Sequence, residues 1–464
     1  MLTEKFLLDD FHLAGTKMGE FETAIKEIDQ HTYHMVMPMR DLIVVSLIDN
    51  QYQPVLPAIA EARVLPAGNA WVHGSRDTEI PAESFEVIDV LPEKKIASVD
   101  DSKLLRELLY KNRTMLGHKI NNAMTLYHLS FMALPTLAQR LGITSAAIDR
   151  RCLASDMLIA ELLNNPKACT LIIKHFKGIG KVVAVMSDSY AKIKLHELCT
   201  VANDLSEECH DGQSTCGGKR LGKMVCEGWD ITHERSSIAF SFPEFAAEVS
   251  EMYNLKQTMT PCVELLTSDM GECAFTAKAY WRMEDGSRIS GEIYRKEHRK
   301  VKAARVNHSD EGIDIEQVEK EIREKIFDKY TILPERLMEL MSIDISPSSL
   351  DLTKTRAIST NRKCIMAAFS YVFKKLRLVD VITKKRLVNI ERMIDYQIID
   401  ETMHYTAYDV VMDIFSLDEK LRDFLKEEDL CKETLRKFNE TISKAAYVDF
   451  DKMPEPKVKV AGNA

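Results

Sequence analysis

The stretch that most restricts what this chain can fold into is PCVELLTSDMGECAFTAKAYWRM, residues 261–283, where two apolar runs are separated by Thr267, Ser268, Asp269 and Gly271. Apolar runs of this length, bounded by turn formers, read as strands with at least one covered face. After Gly271, alternation of period two puts Cys273, Phe275, Ala277, Ala279 and Trp281 on one face and Thr276, Lys278, Tyr280 and Arg282 on the other. One face belongs to a core and the other is basic and aromatic. Ser and Asp side chains hydrogen-bond nearby backbone, and glycine tolerates positive φ. Ser268, Asp269 and Gly271 are therefore what a bulge or sharp turn between two strands requires.

Shorter β-like runs, YHMVMP, DLIVVSLI, AWVHG and FEVIDVL, occupy residues 31–90 between Pro, Gly, Asn and Asp turn signals. From about 102 to 164 apolar residues recur at spacings of three and four, which predicts helices. CTLIIKHF and KVVAVMSDSY, joined through Gly178 and Gly180, predict a β-hairpin, and HELCTVANDL a helix. From about 313 the pattern is helical almost to the end, with Ile365, Phe369, Val372 and Leu376 on one face. The fold class is therefore α+β. It comprises a β-rich N-terminal region (1–95), a helical segment (96–165), a mixed core with antiparallel hairpins (166–312), a helical C-terminal domain (313–449) and a tail (450–464). A chain of 464 residues has room for several units at roughly 100–200 residues each.

A net charge of −9 argues against an overall polyanion-binding surface and leaves room for a local basic patch. Ten cysteines scattered over so long a chain fit reduced thiols better than a disulfide framework. The first residues carry Glu4, Asp9 and Asp10 and lack the basic-then-apolar order of a signal peptide. The densest early apolar run, residues 42–48, falls short of the roughly 20 residues that cross a bilayer. A cytoplasmic protein without a membrane partner is the expectation.

Several motifs have a plain structural reading beside the functional one. LAQRLGITSAAIDRR resembles a helix-turn-helix, with Ala138, Gly142 and Ile148 in the packing positions and Arg150 and Arg151 placed to reach phosphate. A helical hairpin explains it more simply. KGIGK, residues 177–181, is followed by the β-forming VVAVM, which favours a strand turn over a phosphate loop and leaves Lys177 and Lys181 available to touch phosphate. Cys209, His210, Cys216, Cys226 and His233 are metal-ligand types without C-x-x-C spacing, so buried thiols are the simpler reading and no metal or cofactor is expected. No P-loop, dinucleotide fingerprint, serine-hydrolase elbow or zincin helix is present, which weakens the case for an enzyme.

The ribbon around SRISGEIYRKEHRK extends the basic face. Residues 278–305 hold nine basic side chains against four acidic ones. A sheet face with interleaved cations and rings suits single-stranded DNA or RNA, since cations neutralise phosphates while rings stack on bases. The candidate contacts are Lys278, Tyr280, Arg282, Tyr294, Arg295, Lys296, Arg299, Lys300 and Lys302. A solvated amphipathic hairpin would show the same pattern.

TLAQRLGI, AELLNN, IIKHFKGIGKVVAVMSDSY and VELLTSDMGECAFTAKAYWR, in that order, resemble the phage- and plasmid-like proteins grouped as domain-of-unknown-function family 932. The resemblance covers roughly residues 130–345. The family's Ser-Asp-x-Tyr pattern corresponds to Ser187, Asp188 and Tyr190, and its Ser-Asp/Glu-x-Gly pattern to Ser268, Asp269 and Gly271. Its frequent Cys-Asn-Gly turn is replaced by WRMEDGSRISG. The resemblance implies a gene of phages, prophages or plasmids acting inside a bacterial cell, and supplies no catalytic residues. If the two Ser-Asp strands pair, Asp188 and Asp269 come close enough to hold a divalent cation. A turn role is preferred because the pattern places no third acid.

The leading expectation is a non-catalytic, nucleic-acid-associated protein of a mobile element. One rival is an assembly protein that binds a protein partner through the acidic helical C-terminal domain, which leaves a homo-oligomer open. The other is a metal-dependent phosphoester enzyme.

Overall fold

The structure, a computed structural model, describes residues 2–47, 62–64, 70–73, 114–120, 123–143, 162–163, 167–176, 179–188, 195–268, 270, 275–296, 314–347, 350–398, 402–417 and 432–454. In chain order the elements begin with strand β1 (His12–Gly15), helix α1 (Met18–Gln30), β2 (Thr32–Pro38), β3 (Leu42–Leu47), β4 (Ala62–Val64), β5 (Ala70–His73), β6 (Thr114–Ile120) and β7 (Ala123–Leu129). Helix α2 (Ala133–Leu141), β8 (Ala168–Phe176), β9 (Ile179–Ser187) and α3 (Leu195–His210) come next, then a small ribbon of β10 (Thr215–Cys216) and β11 (Lys219–Arg220). After these lie β12 (Val225–Thr232), β13 (Ser236–Ser241), α4 (Pro243–Met252), β14 (Met259–Thr267), β15 (Phe275–Met283) and β16 (Arg288–Lys296). The remainder is helical: α5 (Ile315–Lys325), α6 (Ile332–Leu340), α7 (Thr355–Lys375), α8 (Lys384–Gln397), α9 (Ala407–Phe415) and α10 (Lys432–Ile442).

Two sheets organise this α+β fold. A six-stranded antiparallel sheet has the order β1-β12-β13-β14-β15-β16, and an eight-stranded sheet the order β2-β8-β9-β7-β6-β3-β5-β4, where β7 and β9 run parallel. Sheet membership ignores chain order. His12 stands opposite Thr232, so the chain's first strand closes the edge of a sheet otherwise drawn from residues 225–296. The second sheet occupies the intervening residues 32–187.

The expected hairpin at CTLIIKHF and KVVAVMSD is present, with Phe176 opposite Ile179. Gly180, assigned to its turn, lies inside β9, where a Cβ would stand 2.5 Å from Tyr127 Cδ1; its role is close packing. The helical reading of residues 96–165 needs correction. Residues 114–120 and 123–129 form paired strands, with Leu116 opposite Tyr127, and Ala133–Leu141 is helical as expected, while LLRELLY lies outside the described residues. Leu116, His118, Tyr127 and Leu129 are buried, and His118 stacks on Tyr127. Gly117 and His128 are buried as well, so these strands are covered on both faces, and pairing with the neighbouring strands outweighs a local spacing that also fits a helix.

Helix α2 ends as a helix-turn-helix's first helix would, with Ala138 buried and Gly142 left-handed at φ 72°. Ile148, Arg150 and Arg151 lie outside the described residues, as does FEVIDVL. One large core joins the six-stranded sheet to the C-terminal helices, which form no separate body: Tyr330 meets Trp281 edge to face at 5.7 Å and Phe242 meets Phe327 at 5.4 Å. A second core lies between the eight-stranded sheet and α2. Among the described residues, no helix is long and apolar enough to cross a membrane.

Candidate functional site

Strand β15 realises the expected alternation. Phe275, Ala277, Ala279 and Trp281 are buried and Lys278 and Arg282 stand half-buried on the outward face, but Thr276 and Tyr280 on that face are buried too, and Cys273 lies outside the described residues. Register sets Glu264 opposite Lys278 and Cys262 opposite Tyr280 on one side, and Ser290 opposite Tyr280 and Arg288 opposite Arg282 on the other. Lys278 pairs with Ile293 and Tyr280 with Ser290, so β16 carries one residue more than β15 over that interval, at Gly291–Glu292.

This bulge divides the ribbon's basic residues between two faces. Arg288 before it and Arg295 after it are exposed, and both share the outward face with Lys278 and Arg282. Tyr294 turns to the core side, opposite Ala277. It is buried, with the Lys325 ammonium 5.1 Å over its ring. Lys296 donates to Gln317 Oε1 at 3.1 Å. Tyr280 is outward but covered: the Arg288 guanidinium lies 4.9 Å above its ring, and burial pushes its hydroxyl pKa well up. Neither tyrosine offers a face to a base, which removes the stacking half of the sequence expectation. Arg299, Lys300 and Lys302 lie outside the described residues.

Acids answer several of the outward cations. Lys278 Nζ is 3.7 Å from Glu264. Arg282 grips Glu227 through both terminal nitrogens, with Nη2 3.0 Å from Oε1. The Arg282 hydrogen bond, against the opposing pull of burial, holds the Glu227 carboxyl below its usual range; the Ser241 hydroxyl donates to it as well. Helix α10 approaches along β16. Ser290 N donates to Ser443 Oγ at 2.8 Å, Ser290 Oγ to Asn439 Oδ1 at 3.0 Å, and Asn439 Nδ2 to the Arg288 carbonyl at 3.2 Å. Between α10 and the outward face lies a cleft of about 470 Å³ whose walls include Glu264, Lys278, Tyr280, Arg288, Leu435 and Arg436. Arg436 pairs with Glu440 at 2.6 Å.

The two Ser-Asp segments end strands of different sheets. Ser187 closes β9 in the eight-stranded sheet and Thr267 closes β14 in the six-stranded one, so the strand pairing that would bring Asp188 to Asp269 does not occur. Asp188 is exposed at the end of its strand. Ser268 is fully buried, and its Oγ accepts from Met270 N at 3.2 Å. That bond braces the backbone where Met270 packs among Ile172, Val183 and Ala184 of the other sheet. Asp269, Gly271 and Tyr190 lie outside the described residues.

The cysteine and histidine set disperses. Cys209 and Cys216 are buried, burial raising the Cys209 thiol to about 11, and Cys216 Sγ contacts Thr331 at 4.0 Å. His233 packs beside Phe6 and Phe11. Among the described residues no three His, Cys, Asp or Glu side chains converge as metal ligands.

The most unusual polar feature includes Lys181 of KGIGK, which is fully buried and so offers no ammonium to a phosphate; Lys177 lies outside the described residues. Lys174 and Lys181 face each other across β8 and β9, and both are fully buried. Lys181 Nζ reaches Asp9 Oδ1 at 2.7 Å and the Leu7 carbonyl at 2.6 Å, and Lys174 Nζ reaches Thr32 Oγ1 at 3.0 Å. Ser130 Oγ donates to Asp9 as well. Burial would raise the Asp9 carboxyl, but Lys181, Ser130 and the Phe131 amide outweigh it and hold the group below its usual value. Around them, burial and the neighbouring ammoniums keep His233 and His128 neutral, at about 3 and about 4. The legible signal was a lysine within each apolar run, IIKHF and KVVAV. This network ties the N-terminal segment to the second sheet, with the Ser130 hydroxyl fully buried and the Asp9 carboxylate partly exposed.

Comparison of the chain with protein-family models, with curated proteins and with solved structures finds no match in any of the three.

Proposed function

We propose that this chain is a non-catalytic, nucleic-acid-associated protein whose ligand strand lies in the cleft between β15–β16 and α10. The observation carrying this reading is that cations from three elements, Lys278, Arg288 and Arg436, line one cleft, with Arg282 and Arg295 on the same face beyond it. Surface ion pairs contribute only about 0–1 kcal/mol, so a phosphate can replace Glu264 or Glu440 beside its cation at little cost. With both tyrosine rings covered, affinity comes from the backbone of the ligand, which entails steep salt dependence and little sequence preference. A cleft bounded by a helix on one side admits a single strand more readily than a duplex. The setting in a phage, prophage or plasmid, inside a bacterial host, rests on the resemblance of the Ser-Asp segments alone.

Fluorescence anisotropy with labelled single-stranded and duplex DNA and RNA at two salt concentrations tests the proposal. The expected result is binding that favours single strands, and a salt slope that falls by about 0.7 for each phosphate contact removed. Arg288→Glu combined with Arg436→Glu should weaken binding about tenfold or more. Unchanged affinity in that variant, or no binding at low salt, rejects the reading.

A further inference from the structure

Beside the cationic cleft, with Ala279, Ser290, Ile293 and Glu440 common to both walls, a second cavity of about 340 Å³ opens between the β15–β16 ribbon, α6 and the residues that follow α10. Its inner wall is apolar and aromatic, since Ala279, Trp281, Ile326, Tyr330 and Leu333 are all buried there. The Tyr330 hydroxyl already donates to the Cys262 carbonyl at 2.9 Å, so its ring presents only carbon to the space. The mouth is also apolar. Ile293, Ile332 and Tyr447 stand around it at 39%, 38% and 55% exposure, three large hydrophobic side chains left in water at one opening. Exposed apolar groups gathered around a concavity mark a ligand site far more often than the same groups scattered singly.

The charges at this mouth have a direction. Lys329 and Lys444 are exposed at it, the Glu440 carboxylate is held by Arg436 at 2.6 Å, and Glu292 remains beside Tyr447. We propose that the cavity binds a small amphipathic anion. An alkyl chain or aromatic ring lies against Trp281, Tyr330 and Leu333, and a carboxylate or sulfonate-like head sits between the Lys329 and Lys444 ammoniums. The volume falls within the roughly 300–1,000 Å³ typical of small-molecule sites. This site adjoins the cationic cleft, but Lys329, Lys444, Ile332 and Tyr447 are not among that cleft's walls, so the proposal does not depend on the nucleic-acid reading.

The test is a titration of the full chain with 8-anilinonaphthalene-1-sulfonate, followed by its fluorescence and by quenching of tryptophan emission. One saturable site is expected, displaced by decanoate and far less by decanol at the same concentration. Lys329→Glu with Lys444→Glu should weaken the probe about tenfold or more, and Ile332→Ser with Tyr447→Ser should weaken it comparably. All four residues lie at the mouth, and an unchanged far-ultraviolet circular dichroism spectrum confirms that each variant is folded. Absence of a saturable site, or binding unaltered in both variants, overturns the proposal. Equal displacement by decanol overturns the assignment of an anionic head.

Discussion

Lys181 is surrounded by valines on its own strand, yet its ammonium is fully buried and held by Asp9 and the Leu7 carbonyl. Removing one partner of such a pair leaves the other charge without compensation in a poor solvent. Lys181→Met is therefore expected to destabilise the fold by about 3 kcal/mol or more, and adding Asp9→Leu to recover much of that loss. Urea denaturation of the two single variants and the double variant measures both effects. The buried histidines set an acid limit. Burial lowers His233 from 6.5 to about 3 and His128 to about 4, so the unfolded chain binds protons that the folded one refuses, and stability falls as pH drops below 6.5. His233→Gln should flatten that slope in melting temperatures recorded from pH 7 to 4. Glu319 acts in the opposite window. Burial, reinforced by Asp204 and Glu208, raises it from 4.5 to about 7, so the folded chain keeps a proton the unfolded one releases and stability falls as pH rises through that range. Glu319→Gln should gain on the order of 1 kcal/mol at pH 8 and little at pH 4.

Elements show what pattern alone conveys. The faces of β15 were legible because period-two alternation is a local property, and the burial of Phe275, Ala277, Ala279 and Trp281 follows it. The division of β16 into two faces was not legible, since an extra residue acquires meaning only against a partner strand. Its trace was a glycine inside a strand pattern: a Cβ on Gly291 would stand 3.1 Å from Ala279 Cβ. Counting nine basic residues without that bulge placed Tyr294 and Lys296 on the wrong side. Strands β6 and β7 were misread for a related reason, because a spacing of four keeps residues on one face of a helix and of a strand alike, and one short segment does not separate the two. The α10 contact makes a separate prediction. Ser443→Ala removes the acceptor of the Ser290 amide at the ribbon's edge, and should cost about 1 kcal/mol and speed hydrogen exchange at Ser290.

Over the whole molecule, the α+β class and the helical C-terminal third were readable, whereas the grouping into sheets was not. Composition and periodicity describe neighbours along the chain, and His12 finds Asp230 across 218 positions. The N-terminal segment belongs to both halves at once: Phe6 and Phe11 enter the core of the six-stranded sheet while Asp9 holds Lys181 of the other. Deleting residues 2–11 should therefore loosen β8, β9 and β12 together, read as a joint loss of hydrogen-exchange protection. A loss confined to β12 would show that the two sheets stand independently.

The same crossing of the chain has a consequence during synthesis. The strand that closes the six-stranded sheet leaves the ribosome before its partner, which follows 218 positions later, a delay of roughly ten to forty seconds at about 5–20 residues per second. For that interval Phe6, Leu7 and Phe11 lack the strands of the six-stranded sheet that complete their core, with only α1 and the eight-stranded sheet to pack against. The nascent chain spends that time with these side chains short of their final partners, and a chaperone that holds the segment around them would act on the yield of this protein without changing its final stability.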